Sequence, residues 1–221
     1  MAKQAWKKFP YPDKAYDYAG AALKKNWAAL HRGDCEPFPD EAWVKKAIDT
    51  HPKLDQKQPA AKVADALQSA WRAYHAGDFA SAAEQGEALG PIGYNVANKA
   101  ANIYATYLET DDNRQLEIFQ QSAARAEKLQ AIAKDFPNAF YFHASALGRY
   151  GQGISVAKAL AMGLGGKIKA SLDKAIALAP DHAEAHIALG AYNAEVVAKV
   201  GGLVAGLTYG ASKDAASKHF E

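Results

Sequence analysis

Apolar residues recur at three- and four-residue spacings along most of the chain, which is the pattern of helices that bury one face. Glycine or proline interrupts this pattern repeatedly, and each interruption predicts a helix end. No segment carries a strict heptad, so a long coiled coil is not expected. The predicted helices cover residues 13–32, 40–50, 58–76, 79–89, 92–109, 113–135, 138–150, 166–179 and 183–200, with a last helix beginning at Ser212.

Proline closes several of these helices at similar intervals. Pro52, Pro91, Pro137 and Pro180 follow one another at spacings of about forty residues, which is the length of a helix pair with its turns. The pattern predicts an all-α protein, in which a helical N-terminal segment (1–57) precedes an α-solenoid of antiparallel helix pairs (58–221). Glycine-rich inserts at 151–165 and 201–210 lengthen the last two repeats.

Composition supports the all-helical prediction. Alanine supplies 50 of the 221 residues, whereas valine, isoleucine and threonine together supply 21. Alanine is the best helix former and β-branched residues favour strands, so helices held by close backbone approach are expected.

Charge and cysteine content exclude some functional classes. A net charge of +2 gives no overall preference for nucleic acid. The single cysteine, Cys35, suits a reducing compartment. The basic N-terminal residues are not followed by the apolar run of a secretory signal, so a cytoplasmic protein is expected. The most apolar stretch, 194–209, is too short and too interrupted by charge to predict a membrane span.

Two stretches resemble tetratricopeptide repeats. Residues 180–190 read Pro-Asp-His-Ala-Glu-Ala-His-Ile-Ala-Leu-Gly, like a repeat junction, and residues 70–82 carry the Gly-Asp-aromatic turn found inside a repeat. Residues 169–189, with the insert before Ser212, are also similar to the C-terminal half of the regulator-of-microtubule-dynamics proteins. The resemblance implies a right-handed superhelix in which the first helix of each pair faces a concave groove.

That geometry predicts the residues that would bind a partner. Asn95, Asn98 and Asn102 form one helical stripe that could hold an extended peptide backbone, although an ordinary solvated face would look the same. For the preceding helix, groove exposure and core packing both remain open. The remaining candidates on the predicted groove are Trp71, Tyr74, His75, Phe142 and Arg149.

Other chemical candidates are weaker. His182 and His186 share a helical face but lack further ligands at metal-binding spacing, so a turn residue and a packing residue are expected, with no metal. Cys35 lies near His31 and is interpreted as a structural loop residue. Lys3, Lys7 and Lys8, with Trp6 and Phe9, are expected to form a frayed tail.

The leading hypothesis is therefore a scaffold that binds an extended protein or peptide segment in the groove, with no enzymatic activity and no cofactor. The alternative is a small-molecule-binding or accessory subunit whose pocket is walled by the glycine-rich inserts and the aromatic residues 140–142. The final helix has an N-cap at Ser212 but no C-terminal capping signal, which predicts a chain that ends within a repeat or that pairs with another copy.

Overall fold

The fold is known from a computed structural model that describes residues 6–220. Within this range the secondary structure is helical and contains no strand, which confirms the all-α prediction. The helices are α1 (Ala22–Leu30), α2 (Glu41–Thr50), α3 (Ala60–His75), α4 (Phe79–Ala88), α5 (Tyr94–Tyr107), α6 (Asp112–Ile132), α7 (Pro137–Gln152), α8 (Val156–Ala161), α9 (Leu164–Leu178), α10 (Ala183–Val200), α11 (Gly202–Val204) and α12 (Lys213–Lys218).

Side-chain caps fix several helix starts where the sequence predicts them. Asp40, Asp78 and Ser212 each accept a hydrogen bond from the backbone N–H three residues later, which satisfies one of the otherwise unpaired donors of the first turn. The predicted helix 13–32 is wrong in extent, because Gly20 adopts a φ of +54° before α1 begins.

The two inserts contain helical structure of their own. The first insert includes the short helix α8, and the second includes α11 followed by a π-helical turn, Ala205–Tyr209. No helix within residues 6–220 combines the length and apolar character needed to cross a bilayer.

Helices that follow one another in sequence pack together from α2 to α7, and the series continues through α9, α10 and α12. A second set of contacts joins α3 to α5, α5 to α7 and α7 to α10. These four helices therefore form one row. Close approach within the array depends on glycine: a Cβ atom at Gly93 would lie 2.2 Å from the backbone oxygen of Gly86.

Residues 6–9 pack on the helical array, so the expectation of a frayed tail is wrong for these residues. Trp6 stacks on Tyr104 with ring centroids 4.2 Å apart, and Phe9 packs edge-on against Phe79. Lys3 lies outside the described residues. Aromatic stacking on a buried tyrosine and a 3.1 Å hydrogen bond from Lys7 N–H to Tyr104 Oη hold this segment on the helical array.

Candidate functional site

The connection between α1 and α2, residues 31–39, crosses the row of α3, α5, α7 and α10; we term it the crossing loop. His31 Nε2 lies 3.2 Å from His75 Nε2 on α3, and Asp34 is paired with Lys99 on α5. The backbone oxygen of Asp34 accepts a 2.9 Å hydrogen bond from Asn138 on α7. At the far end, the oxygen of Gly33 accepts one from the N–H of Glu184 at the start of α10.

Asp34 is the electrostatic centre of the crossing loop. It is fully buried, forms an ion pair with Lys99, and its carboxylate lies 2.9 Å from His31 Nδ1. Burial alone would raise the pKa of Asp34, but the His31 hydrogen bond and the Lys99 charge outweigh it and lower the pKa to about 2. Burial likewise favours neutral Lys99, yet Asp34 holds the pKa of that ammonium above its ordinary value. The pair is thus ionised and mutually dependent.

Glu36 lies two residues farther on, in a different environment. Its carboxylate accepts hydrogen bonds from Asn95 and, at 2.6 Å, from Asn138. Burial, followed by the neighbouring charge of Asp34, raises the pKa of Glu36 to about 7. The pKa values of the two acids in this loop are therefore shifted in opposite directions, because only Asp34 has a close cation.

The predicted groove residues of α3 lie beneath the crossing loop. Trp71 is buried and packs edge-on against His31, with ring centroids 4.7 Å apart. Burial raises the pKa of Tyr74 to about 12, and burial followed by the charge of His31 lowers the pKa of His75 to about 3. These side chains do occupy one surface, as the sequence suggests, but the chain itself covers that surface.

The asparagine stripe is buried rather than exposed, so the sequence expectation is wrong about its setting. Asn95 binds Glu36, and Asn98 accepts a 2.9 Å hydrogen bond from Arg125 on α6. The amide of Asn102 is buried and has no partner among the described residues. The reason is the central position of α5, which contacts α3, α4, α6 and α7. A role of the stripe in partner binding remains a prediction.

Two further candidates, Phe142 and Arg149, lie on α7 in different environments. Phe142 is buried in the helical array, which fits core packing. Arg149 is exposed and donates a 3.2 Å hydrogen bond to Gln152. Arg149 borders a large cavity that sequence reasoning considered only as the alternative site.

This apolar cavity encloses about 500 Å³ and is partly open to solvent. Helices α7, α8, α9 and α10 form its walls, and Tyr209 of the second insert contributes to the rim. Its apolar lining includes Ala144, Val156, Leu160, Leu164, Ile168, Leu172, Ala188, Val196 and Val200. The cavity therefore lies among α7, α8, α9 and α10, with residues of both inserts in its lining.

Polar groups are confined to restricted parts of the lining. On one side, Gln152 donates a 2.7 Å hydrogen bond to Glu195, which also pairs with Lys199 at 3.7 Å. On another, Tyr141 lies beside Glu184; burial and that carboxylate raise the pKa of Tyr141 well above its ordinary value. An apolar interior with a few polar groups is the usual constitution of a small-molecule site.

The histidines and the cysteine have identifiable local roles. His182 caps α10 by accepting a hydrogen bond from the backbone N–H of Ala185. Its other ring nitrogen, Nε2, lies 2.9 Å from Asn138 Oδ1. His186 contacts His219 and the oxygen of Pro180. Cys35 lies in the crossing loop with a φ of 51°. Within residues 6–220 no group of three or more histidine, cysteine or acidic side chains is arranged to hold a metal ion.

Comparisons with protein-family models, with curated proteins and with solved structures found no match. The tetratricopeptide resemblance therefore remains a prediction. The function must therefore be inferred from the geometry of the chain itself.

Proposed function

We propose that this protein binds a small amphiphilic molecule in the apolar cavity between α7, α8, α9 and α10. The observation that carries the proposal is the cavity, whose volume of about 500 Å³ falls within the range of ligand pockets, roughly 300–1,000 Å³. Side chains of α9 and α10 would cover the apolar part of such a molecule. The polar group formed by Arg149, Gln152, Glu195 and Lys199 would bind its head.

The position of the crossing loop favours this proposal over a peptide in the predicted groove. A partner laid along α3, α5, α7 and α10 would have to displace the ionised Asp34–Lys99 pair and the buried Glu36 cluster. Both are costly to expose or break. The apolar cavity needs no such displacement, because its lining is not occupied by another part of the described chain.

Gly148 offers a direct test, because it lines the cavity and a Cβ atom added there meets nothing within 4 Å. Gly148→Leu should fill part of the cavity while favouring the helix. With dansylaminoundecanoic acid as a fluorescent probe, we expect saturable binding by the unmodified protein. Gly148→Leu should weaken it at least about tenfold, a loss of about 1.4 kcal/mol.

Gly166→Leu is the matched control. Gly166 is also helical, an added Cβ atom there also has open space, and it does not line the cavity. This variant should bind the probe within about twofold of the unmodified protein, and circular dichroism should show that both variants are folded. Equal affinity in all three proteins, or no saturable binding, would contradict the proposal.

A further inference from the structure

A second, smaller cavity lies between the crossing loop, α2 and the starts of α5 and α7. It encloses about 210 Å³ and shares no lining residue with the apolar cavity between α7, α8, α9 and α10. Its lining residues fall within 35–37 of the crossing loop, 43–51 on and just after α2, and 135–138 around the start of α7, together with Asn95 of α5. We name this site the small cavity.

Three buried polar side chains in the lining of the small cavity meet one another. Glu36 and Asn95 are each 7% exposed, and Asn138 is 2% exposed. The Glu36 carboxylate accepts a 3.0 Å hydrogen bond from Asn95 Nδ2 and a 2.6 Å hydrogen bond from Asn138 Nδ2. Because these bonds join the polar ends of all three side chains, we treat the three as one group, the polar floor.

The polar floor contains unused hydrogen-bond acceptors. Asn138 Nδ2 uses its two hydrogens on Glu36 and on the backbone oxygen of Asp34. Asn95 Oδ1 is buried and has no hydrogen-bond partner among the described residues. Glu36 Oε1 accepts one hydrogen bond within residues 6–220, from Asn95 at 3.2 Å, although a carboxylate oxygen can accept about two. Buried acceptors are normally satisfied, so a ligand that donates hydrogen bonds fits the polar floor.

The polar floor also lacks a positive charge of its own. The side-chain partners of Glu36 among the described residues are the amides of Asn95 and Asn138. Burial, followed by the charge of Asp34, raises the pKa of Glu36 to about 7, and the charge of Lys99, which is paired with Asp34, offsets this only in part. A cation beside the Glu36 carboxylate would favour its ionised form. A cationic donor therefore suits the polar floor better than a neutral one.

The charges at the mouth of the small cavity do not decide the ligand. In the lining, Asp135 is 57% exposed and paired with His51 at 2.5 Å, and Lys46 is exposed. The charged residues that flank the lining, besides the paired Asp34 and Lys45, are Asp49, Lys53 and Lys134. These exposed groups have both signs and are screened by water and salt, whereas Glu36 acts in a low-dielectric interior. The choice of ligand therefore rests on the polar floor.

The remaining walls of the small cavity are largely apolar. The rings of Trp43 and Phe136 line it with their centroids 5.9 Å apart, and Pro37, Ala47 and Pro137 add apolar surface. A cavity of about 150 Å³ holds benzene, so one of about 210 Å³ has room for a ring with a one-carbon substituent. Aromatic faces also attract cations.

We propose that the small cavity binds a small primary amine in its protonated form. The ammonium group would donate hydrogen bonds to Glu36 and to Asn95 Oδ1, and the apolar part of the amine would pack against Trp43 and Phe136. An anion is the less suitable occupant, because its charge would lie beside the buried Glu36 carboxylate. This site is separate from the amphiphile cavity and goes beyond the function proposed above.

Isothermal titration calorimetry tests the proposal with three ligands of similar shape: benzylammonium, benzyl alcohol and benzoate. At about pH 8 the amine is protonated and Glu36 lies above its pKa of about 7. We expect one saturable site per chain for benzylammonium. Benzyl alcohol should bind at least about tenfold more weakly, because it keeps the ring but loses the charged hydrogen bonds. Benzoate should show no saturable binding.

Glu36→Gln removes the charge of the polar floor and keeps its shape. It should weaken benzylammonium binding at least about tenfold and change benzyl alcohol binding less than about threefold. Glu41→Gln is the matched control, because Glu41 is an exposed carboxylate at the start of α2 and does not line the cavity. It should bind benzylammonium within about twofold of the unmodified protein. Lys46→Gln should not weaken benzylammonium, although it would weaken an anion.

Nuclear magnetic resonance locates the bound amine. Benzylammonium should shift the side-chain amide signals of Asn95 and Asn138, which line the small cavity. Gly148→Leu should leave benzylammonium binding intact, and Glu36→Gln should leave binding of the dansyl probe intact. Failure of one proposal therefore does not imply failure of the other.

Three results would overturn the amine proposal. The first is the absence of saturable benzylammonium binding at concentrations up to about 10 mM. The second is equal affinity for benzylammonium and benzyl alcohol; both comparisons use the unmodified protein and do not depend on the folding of a variant. The third is a loss in Glu36→Gln no larger than that in Glu41→Gln. Saturable benzoate binding that is lost in Lys46→Gln would instead assign the small cavity to anions.

Discussion

Replacing Asp34 with alanine should lower the free energy of unfolding by about 3–5 kcal/mol, because the change leaves Lys99 buried without its main counter-charge. It also removes the acceptor that holds His31 at 2.9 Å. Urea denaturation monitored by circular dichroism at neutral pH measures the loss. A second substitution, Lys99→Met, should restore part of the stability, since an apolar side chain no longer needs a partner.

The control for this prediction is an exposed ion pair of similar chemistry. Asp173 lies 2.7 Å from Lys169 on α9, and their side chains are 49% and 32% exposed. Asp173→Ala should therefore cost less than about 1 kcal/mol. If Asp34→Ala costs no more than Asp173→Ala, the crossing loop is not held by the buried pair.

Glu36 should make the stability of the protein depend on pH in the sense opposite to Asp34. Its pKa is raised in the folded state to about 7 from an ordinary value of about 4.5. The stabilising contribution of its neutral form is therefore fully present below pH 4.5 and is lost as the pH rises through about 7. Glu36→Gln keeps a neutral side chain of the same shape at every pH, so it should avoid that loss.

The quantity to measure is the difference in unfolding free energy between Glu36→Gln and the unmodified protein across this pH range. We expect the difference to move in favour of the variant by about 3 kcal/mol as the pH rises from about 4.5 to 8. His75, whose lowered pKa costs stability as the pH falls, is present in both proteins and cancels. Glu84→Gln, a change at an exposed carboxylate of α4, is the control. A difference that stays constant with pH would contradict the raised pKa of the buried Glu36.

Local signals in the sequence account for much of the helical layout. Asp78 and Asp111 begin α4 and α6 through side-chain caps, and capping chemistry is readable from a few neighbouring residues. The alanine content likewise predicts helices without predicting how they are arranged. Gly20 shows the limit of such signals, since an isolated glycine within an apolar pattern does not tell whether the helix ends there.

The crossing loop could not be predicted in the same way. Asp34 and Lys99 are 65 residues apart in sequence, and no periodic pattern relates them. The asparagine stripe on α5 illustrates the same limit, because a spacing of three and four residues identifies a shared helical face but not what covers it. The burial of His31 and of both loop acids arises only when four separate helices meet the loop.

The cavity was partly foreseeable. The glycine-rich inserts identify a place where regular helix packing is interrupted, and both inserts line the cavity. Its volume could not be foreseen, because it depends on how α7, α8, α9 and α10 pack around it. Leu164, Ile168 and Leu172 in the lining read in the sequence as ordinary core positions of an amphipathic helix.

Photo-crosslinking tests the central claim, that an amphiphile occupies the apolar cavity, most directly. A fatty acid that carries a diazirine near the end of its chain can be bound to the protein, irradiated, and located by peptide mass spectrometry. We predict saturable labelling of the lining residues Leu164, Ile168, Leu172 and Val196, which is lost in Gly148→Leu and kept in Gly166→Leu. Labelling confined to the exposed residues Leu203, Val204 and Leu207, or labelling that Gly148→Leu leaves unchanged, would contradict the account.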